Sequence, residues 1–559
     1  MTTRPSLHIL LMGAIVSFAL IACQQDRTVR DDLTVDELRD VYGFAPPRDI
    51  RDRLHFGATD QLEKRHADPL AAITSENIAN LRLAWFIQTQ HPVSHQPLVD
   101  GNRVYFADWG GTVYAADLRT GEIIWSTQAE LSPQLGWPIH GFVGTGAIEG
   151  DVLFLASVEG TAYALDKNTG EVLWDQRLTD QPMVGSLGSI LVYDGLVYIG
   201  LSSVQPIIDG NAEDASFQGR VIALNAADGT TAWEQILVEK PHEGVGVHGG
   251  FAIDTDAGVL YFTTGRSYRG GVAPLANSLV AVDARQGSLR WAYQIPVHQA
   301  IDRDDPVADM MGPEDEFQAP PQLFQAMIGG EHYYAVGAAH KNGTYYLFDR
   351  DTGDPIGSLR LGMAGPGGGM TAAASIGQNQ LFLWSNNTFP MQNPAQHPMD
   401  VAAFDLSTGE SIWRRPGAQP AAYNTPGFLT SDVYLVPSLD GTVRGYRATD
   451  GTTIWASDQH GGINSGLTVA SGTLLFGTAV PPPLSEAGMS NGLVAYRLDM
   501  RGAEKPRVIM PPLPNLPHTL PDPESHEVDT APPAREQRMP PLRANAPDQP
   551  ERVVARHLP

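Results

Sequence analysis

The sequence predicts an all-β fold, an eight-bladed β-propeller of four-stranded blades. Two observations support this prediction. One hairpin pattern recurs eight times, and the last copy lacks its final strand, which a segment before the first copy can supply. The composition agrees, because 57 glycines and 43 prolines in 559 residues are typical of many short strands joined by tight turns.

The repeated unit is a β-hairpin that ends on a tryptophan in most copies. The glycine of its turn supplies a positive φ, and the aspartate four residues earlier can hydrogen-bond into the turn. The tryptophan is expected to wedge against the neighbouring repeat. The copies are TVYAADLRTGEIIW (112–125), TAYALDKNTGEVLW (161–174), RVIALNAADGTTAW (220–233), SLVAVDARQGSLRW (278–291), TYYLFDRDTGDPIG (344–357), DVAAFDLSTGESIW (400–413), TVRGYRATDGTTIW (442–455) and the shorter GLVAYRLD (492–499).

Ring closure is predicted from the two ends of this pattern. A second strand pair precedes each hairpin, as NRVYFADWGG (102–111) does, so that each repeat forms a four-stranded sheet. The eighth copy lacks its last strand and its tryptophan, and LRLAWFIQT (81–89) supplies both through Trp85. The propeller then closes by pairing the N- and C-terminal strands.

The domain boundaries follow from where the pattern begins and ends. We expect a lipoprotein signal peptide at 1–22, a polar lead-in at 23–68 and the propeller at 69–501. Residues 502–559 contain 14 of the prolines and no strand period, which predicts a disordered tail.

The N-terminus predicts a lipid anchor. An apolar run from Leu7 to Ala22 ends in Leu-Ile-Ala-Cys, which resembles a bacterial lipobox with Cys23 as the lipidated residue. Gln24 follows, and in the usual Gram-negative sorting pattern this implies an outer membrane lipoprotein on the periplasmic side. Cys23 is the only cysteine, which excludes disulfides within the chain, Cys-x-x-Cys-His haem attachment and thiolate zinc sites.

The net charge of −26 and the pI of about 4.9 argue against nucleic acid as a partner, because phosphate contacts need a basic face. One stretch departs from this acidity. Residues 266–282 contain no acid, and Arg266 and Arg269 lie there instead.

The repeat pattern A-x-D-x-x-T-G-x-x-x-W resembles the signature of pyrroloquinoline quinone (PQQ) propellers, over about residues 69–500. This family includes quinoprotein alcohol dehydrogenases. It also includes non-catalytic relatives such as the propeller lipoprotein of the outer-membrane β-barrel assembly machinery. Three segments are similar to the dehydrogenases: PLAAITSENIANLRLAW (69–85), EDEFQAPPQLF (314–324) and HKNGTYYLFDRDTG (340–353).

The resemblance implies PQQ and Ca²⁺ as cofactors. In such dehydrogenases an aromatic floor and cations hold the anionic quinone, a Glu and an Asn bind Ca²⁺, and an Asp accepts the alcohol proton. Lys341 matches the cation beside the quinone. His248 falls where the stacking Trp is expected, and Arg266 falls at the calcium Asn.

The remaining positions do not match the family pattern in one register. The catalytic Asp falls at Val272 or at Asn277, and neither residue can accept the proton. The calcium Glu falls near Gln205, or at Glu213 or Asp214. The family's vicinal disulfide is impossible, because its region reads Trp137-Pro138, and no Arg between Leu131 and Gly150 can meet a PQQ carboxylate.

Two functions are therefore predicted. The first is a non-catalytic propeller lipoprotein with a degenerate cofactor site, which binds a protein partner or an anionic small molecule. The alternative is a PQQ-dependent oxidoreductase of alcohols or polyols with a remodelled site. Arg266, Arg269, Lys341 and His248 can converge into a cationic funnel for an anion, or they can pair with local acids such as Glu314 and Glu316. The histidines of HPVSHQP (91–97) and His140 are expected to be polar surface.

Overall fold

The computed structural model of the chain describes 66–68, 70–131, 139–204, 216–269, 271–296, 316–362, 368–387, 398–420, 422, 425–478, 491–498 and 506–511. These residues all belong to one compact unit, Met1–Asn515. A second unit, Leu516–Pro559, lies outside the described residues. The predicted signal peptide, Cys23 and most of the predicted tail also lie outside them.

Eight sheets follow one another in the ring, and the predicted eight-bladed propeller is confirmed. The first four blades have these strands: blade 1, β2 (Leu98–Asp100), β3 (Arg103–Ala107), β4 (Thr112–Asp117) and β5 (Ile123–Gln128); blade 2, β6 (Ala147–Glu149), β7 (Val152–Ala156), β8 (Thr161–Asp166) and β9 (Val172–Arg177); blade 3, β10 (Val184–Gly185), β11 (Leu191–Tyr193), β12 (Leu196–Ser203), β13 (Arg220–Asn225) and β14 (Thr231–Ile236); blade 4, β16 (Phe251–Asp254), β17 (Val259–Thr263), β19 (Ser278–Asp283) and β20 (Leu289–Gln294). A separate two-stranded sheet of β15 (Glu243–Gly244) and β18 (Ser267–Arg269) lies beside blade 4.

The other four blades complete the ring: blade 5, β21 (Gln322–Ile328), β22 (Glu331–Ala339), β23 (Thr344–Asp349) and β24 (Pro355–Arg360); blade 6, β25 (Ser375–Gly377), β26 (Gln380–Asn386), β27 (Pro398–Asp405) and β28 (Ser411–Pro420); blade 7, β29 (Phe428–Leu429), β30 (Val433–Pro437), β31 (Val443–Arg447) and β32 (Thr453–Ala456); blade 8, β33 (Thr468–Ala470), β34 (Thr473–Thr478), β35 (Gly492–Arg497), β1 (Arg82–Gln88) and β36 (Arg507–Ile509). A single 3₁₀ turn, Ile78–Asn80, is the only helical element in the described part of the chain. No helix there is both long and apolar enough to cross a membrane.

The repeat tryptophans join neighbouring blades, as the hairpin pattern predicts. The indole N–H of Trp125 donates to the carbonyl of Lys167 in the next blade at 3.0 Å. Gly170 in that blade has φ +78°, and a side chain there would overlap the Trp125 ring, at 2.5 Å from its Cε3. The turn glycine therefore supplies both the backbone conformation and the space that the indole needs.

Blade 8 is closed by the N-terminal strand, as predicted. Strand β1 pairs antiparallel with β35, and Trp85 is 1% exposed, with its indole N–H donating to the Leu118 carbonyl at 3.2 Å. The described strands also extend beyond the predicted boundary at 501. Strand β36 pairs parallel with the outer edge of β1, so that β1 lies between two strands.

The turn between the second and third strands of each blade opens on the same face as the loops that lead to the next blade, because the strands alternate in direction. We call this the loop face. It carries the turn at 340–343 and the segments around 248, 266 and 316 that the sequence predicts for the site.

Candidate functional site

Lys341 lies in a turn of the loop face that recurs in other blades. The Gly343 N–H donates to the His340 carbonyl, as the Gly111 N–H donates to the carbonyl of Asp108 in blade 1. In this register the position of Lys341 corresponds to Trp109. It also corresponds to Val158 and Leu439, whose turns have the same backbone bond. An amino group therefore occupies a position that is apolar in three other blades, and Lys341 is only 3% exposed there.

Glu316 pairs with this buried lysine. The Lys341 Nζ lies 2.9 Å from the Glu316 Oε1, and the two side chains are 4% and 8% exposed. The backbone holds the two segments together, because Phe317 and His340 form a β-bridge and the Lys341 N–H donates to the Glu316 carbonyl at 3.3 Å. Buried charges are tolerated when they are paired in this way. The alternative that the site cations pair with local acids is thus observed for Lys341 and Glu316, whereas Glu314 lies outside the described residues.

His248 and Arg266 lie near the same carboxylate. A side-chain carbon added at Gly265 would lie 3.1 Å from the His248 Nε2 and 3.3 Å from the Glu316 Oε2. The side chains of His248 and Glu316 therefore meet at Gly265, which has no side chain of its own. The His248 ring nitrogens lie 3.1–3.2 Å from the Ser202 hydroxyl. Three groups that can carry positive charge therefore surround one carboxylate.

The charge balance keeps Glu316 ionised. Burial is the largest influence and raises the pKa of this carboxyl, but the positive charges of Lys341, then of His248 and Arg266, together outweigh it. The pKa of Glu316 is thereby held below its usual range.

His340 connects this pair to Asn277. Its Nε2 lies 2.6 Å from the Asn277 Oδ1, and its Nδ1 accepts the Asn342 N–H at 3.0 Å. Because Nδ1 accepts, the proton is on Nε2 and is donated to Asn277. Burial lowers the pKa of His340 to about 3, so the ring is neutral at physiological pH.

The predicted catalytic position has two registers, and the structure places them differently. Asn277 is 2% exposed, adopts φ 52° and donates from its amide to the Ile295 carbonyl. Val272 is 57% exposed and projects into solvent. Asn277 therefore belongs to the buried network through its hydrogen bond with His340, whereas Val272 lies at the surface.

Other predicted site residues lie outside the described residues, namely Gln205, Glu213 and Asp214 of the calcium site and the Trp137-Pro138 region. Sequence reasoning missed His340 and treated Glu316 only as a neutralising partner. The repeat register could have found His340, because Lys341 and His340 replace Trp109 and Asp108 of the corresponding turn, whereas Glu316 comes from a different loop.

The described residues include cations that could hold an anionic quinone, whereas the predicted calcium ligands Gln205, Glu213 and Asp214 lie outside them. None of the described residues form a group of three His, Cys, Asp or Glu side chains that could hold a metal, and Glu316 is already surrounded by cations. A neutral donor is also present on this side of the ring. The Ser186 hydroxyl is 1% exposed and has no hydrogen-bond partner among the described residues. A side chain at Gly188 would meet the His248 carbonyl at 2.5 Å, so the two segments are adjacent.

A family model described as outer membrane protein assembly factor BamB matches residues 73–139, 135–313 and 341–499. The chain belongs to this family of PQQ-type propellers. The match covers most of the propeller.

Relatives in this family include enzymes. The polyvinylalcohol dehydrogenase of Sphingopyxis sp. (strain 113P3) is 25% identical over 443 residues, which are 73% of this chain and 66% of that protein. A second polyvinylalcohol dehydrogenase, from Pseudomonas sp., is 23% identical over 69% of this chain and 64% of its own length. The chain thus spans just under two thirds of these relatives.

Solved structures of a dehydrogenase and of a BamB protein have the same fold as this chain. The quinohemoprotein alcohol dehydrogenase from Comamonas testosteroni superposes with a TM-score of 0.65 at 17% identity, over 86% of this chain and 84% of that one. BamB from Moraxella catarrhalis superposes with a TM-score of 0.51 at 16% identity, over 76% and 99%. At these identities the likeness concerns the propeller fold alone.

Proposed function

We propose that this protein is a quinoprotein-type oxidoreductase of alcohols or polyols, with Glu316 and Lys341 at its active site. The observation that carries the proposal is the buried Glu316–Lys341 pair. The stretch 266–282 lacks the carboxylate expected of such an enzyme, and Glu316 brings one to the predicted quinone cation from another segment. The sequence relationship to two polyvinylalcohol dehydrogenases supports the same function and favours a polyol substrate.

Each residue has a role that follows from its charge. Lys341, Arg266 and His248 hold an anionic ring system, and the Ser186 hydroxyl can donate to one of its oxygens. Glu316 accepts the proton of the substrate hydroxyl. The chemistry supplied by a quinone, when bound, is acceptance of the hydride from the alcohol carbon.

Ligand binding also adjusts the base. In the free protein the cations hold the pKa of Glu316 low, which makes it a weak proton acceptor. An anion against Lys341 and Arg266 offsets their charge, so that the pKa of Glu316 rises towards the range in which proton transfer is effective. The carboxylate is therefore strengthened as a base only when the site is loaded.

The test is reconstitution of purified protein with PQQ, with and without Ca²⁺. Bound quinone is measured by absorbance after gel filtration, and turnover by dye reduction with a polyol. We expect Lys341→Ala to lose quinone binding. Glu316→Gln should retain the quinone and lose turnover by roughly 10²–10⁴-fold, the usual contribution of a general base.

Lys167→Ala is the matched control, because Lys167 forms an ion pair with Asp100 near a hairpin turn on the opposite face of the ring. It should bind quinone and turn over as the wild type does. Equal turnover by Glu316→Gln and the wild type would exclude Glu316 as the base, and absence of quinone binding by the wild type would exclude the oxidoreductase.

A second candidate function is supported by Arg266. A guanidinium stands where the family resemblance implies a calcium ligand, and the matching family model is described as an outer membrane assembly factor. We infer a non-catalytic binding propeller as this alternative. It predicts that the wild-type protein binds no quinone, whether Ca²⁺ is added or not, and that Arg266→Asn does not restore quinone binding.

A further inference from the structure

We propose that His340 is a positioning residue that, through its hydrogen bond to Asn277, helps to hold Lys341 in its buried place. The proposal rests on the proposed function only in taking Lys341 as the cation that contacts the ligand. It concerns a residue that the family resemblance does not assign.

The first observation is the position of His340 in the repeat. The side chains that occupy this turn position in blades 1, 2 and 7 are Asp108, Ser157 and Ser438, and each accepts an N–H of its own turn. The His340 Nδ1 does the same with the Asn342 N–H. Capping the turn therefore needs only a short polar side chain, and the imidazole extends beyond that need.

The second observation is what the extra length of the ring reaches. The Nε2–H donates to the Asn277 Oδ1 at 2.6 Å, across to blade 4. Asn277 is itself fixed by the hydrogen bond that its side-chain amide donates to the Ile295 carbonyl. This side-chain hydrogen bond thus connects the turn that carries Lys341 to the neighbouring blade.

The third observation is the packing around the ring. His340 is fully buried and meets Phe317 edge-on, with ring centroids 4.6 Å apart. Phe317 and His340 are the chain neighbours of Glu316 and Lys341, so the imidazole packs where the two segments that carry the ion pair meet. His340 therefore acts on the ligand through Lys341, without contacting the ligand itself.

Two amide substitutions distinguish the hydrogen bond that caps the turn from the hydrogen bond to Asn277. In His340→Asn the amide can replace Nδ1 and cap the turn, but it does not reach Asn277. In His340→Gln the amide nitrogen can replace Nε2 and donate to Asn277. The two variants remove a similar part of the ring, so loss of packing is matched between them.

The measurement is the rate at which Lys341 reacts with an amine-acylating reagent, read by peptide mass spectrometry in the full-length protein without cofactor. Lys167 in the same sample is the internal reference. Because a buried amine reacts only during local opening, we expect His340→Asn to accelerate Lys341 labelling about 10-fold and His340→Gln less than about 3-fold.

Asn277→Gly provides a second route to the same bond. Glycine tolerates the φ of 52° and removes the acceptor side chain, together with the amide that donates to the Ile295 carbonyl, so Lys341 labelling in this variant should match that of His340→Asn. Equal acceleration in His340→Asn and His340→Gln would overturn the proposal in favour of simple packing, as would unchanged labelling in Asn277→Gly. Failure of the wild type to bind quinone would refute the proposed function and leave this result intact.

Discussion

At the scale of single residues, the loop face contains buried acids with opposite behaviour. Glu316 is ionised by its cationic neighbours, whereas for Asp108 in blade 1 burial outweighs the hydrogen bonds and the nearby His91 that favour the charged form. The Asp108 carboxylate accepts the Thr112 N–H at 3.0 Å and the Tyr114 hydroxyl at 3.1 Å. Burial nevertheless raises the pKa of Asp108 to about 6.

Replacing Asp108 with Asn should stabilise the protein at alkaline pH. A carboxyl whose folded pKa is raised favours folding fully below its unfolded pKa of 3.8, and this contribution is lost as the pH rises through 6. Asn avoids the cost of ionisation, so we expect up to about 3 kcal/mol at pH 8 and roughly half of this at pH 5. Thermal denaturation of both proteins across this range measures it.

Asp405→Asn is a control in which the pKa of the replaced carboxyl is lowered rather than raised. Its carboxylate accepts the Ser407 N–H and hydroxyl, which hold the pKa of Asp405 below its usual value. That substitution should destabilise the protein slightly at neutral pH, and the difference should vanish as the pH falls through the lowered pKa. A destabilised Asp108→Asn protein at pH 8 would show that the lost hydrogen bond outweighs the charge.

At the scale of elements, strand β36 is the part of the structure that the sequence pattern did not predict. Its Arg507 guanidinium donates to the Thr120 carbonyl at 3.3 Å. A side chain at Gly121 would meet both Ile509 at 2.6 Å and Trp85 at 2.8 Å. The strand therefore covers the outer edge of the closing strand and the seam with blade 1.

Truncation before and after β36 should measure the contribution of this strand to the stability of the protein. Ending the chain after 505 removes β36, and we expect a loss of about 1–3 kcal/mol, the value of burying a side chain such as Ile509. Ending it after 511 keeps the strand and should leave the melting temperature unchanged. Both truncated proteins are compared with the full chain by thermal denaturation, and equal melting temperatures for the two would contradict a stabilising role of β36.

The repeated hairpins could be predicted because their constraint is local and periodic. The glycine that lies against Trp125 in blade 2 recurs against Trp85 and Trp174 in other blades, so one pattern fixes turn, register and blade contact together. Strand β36 follows a proline-containing segment and has only three paired residues. Such a short strand has no period, and its pairing depends on the edge that β1 offers.

The site was predicted less completely for a related reason. Loop lengths on the loop face vary between blades, so counting from a motif cannot fix a register there. Lys341 was identified because it lies within the periodic turn. Glu316 comes from a different loop, and its contact with Lys341 depends on the Phe317–His340 bridge, which no local pattern encodes.

At the scale of the whole molecule, charge is distributed unevenly. The chain has a net charge of −26, yet Lys341, His248 and Arg266 gather around one carboxylate on the loop face. A local cationic site in an acidic protein attracts small anions while the remaining surface repels larger polyanions.

Membrane attachment is predicted to depend on Cys23 alone. Cys23→Ser removes the only residue that the lipobox pattern can modify. We expect the protein to move from the outer membrane fraction to the soluble periplasmic fraction, or to retain its signal peptide. Fractionation followed by mass spectrometry of the N-terminus measures both. Unchanged recovery of the variant with the outer membrane would contradict a lipid anchor at this residue.

The parallel pairing of β1 with β36 has a mechanical consequence. Tension between the two chain ends would pull β1 from its start at Arg82 and β36 from its end at Ile509. In a parallel pair these points lie at opposite ends, so the load runs along the strands and strains the ladder bonds together, whereas an antiparallel closure alone would unzip them one at a time. The propeller therefore resists being pulled open by its own termini.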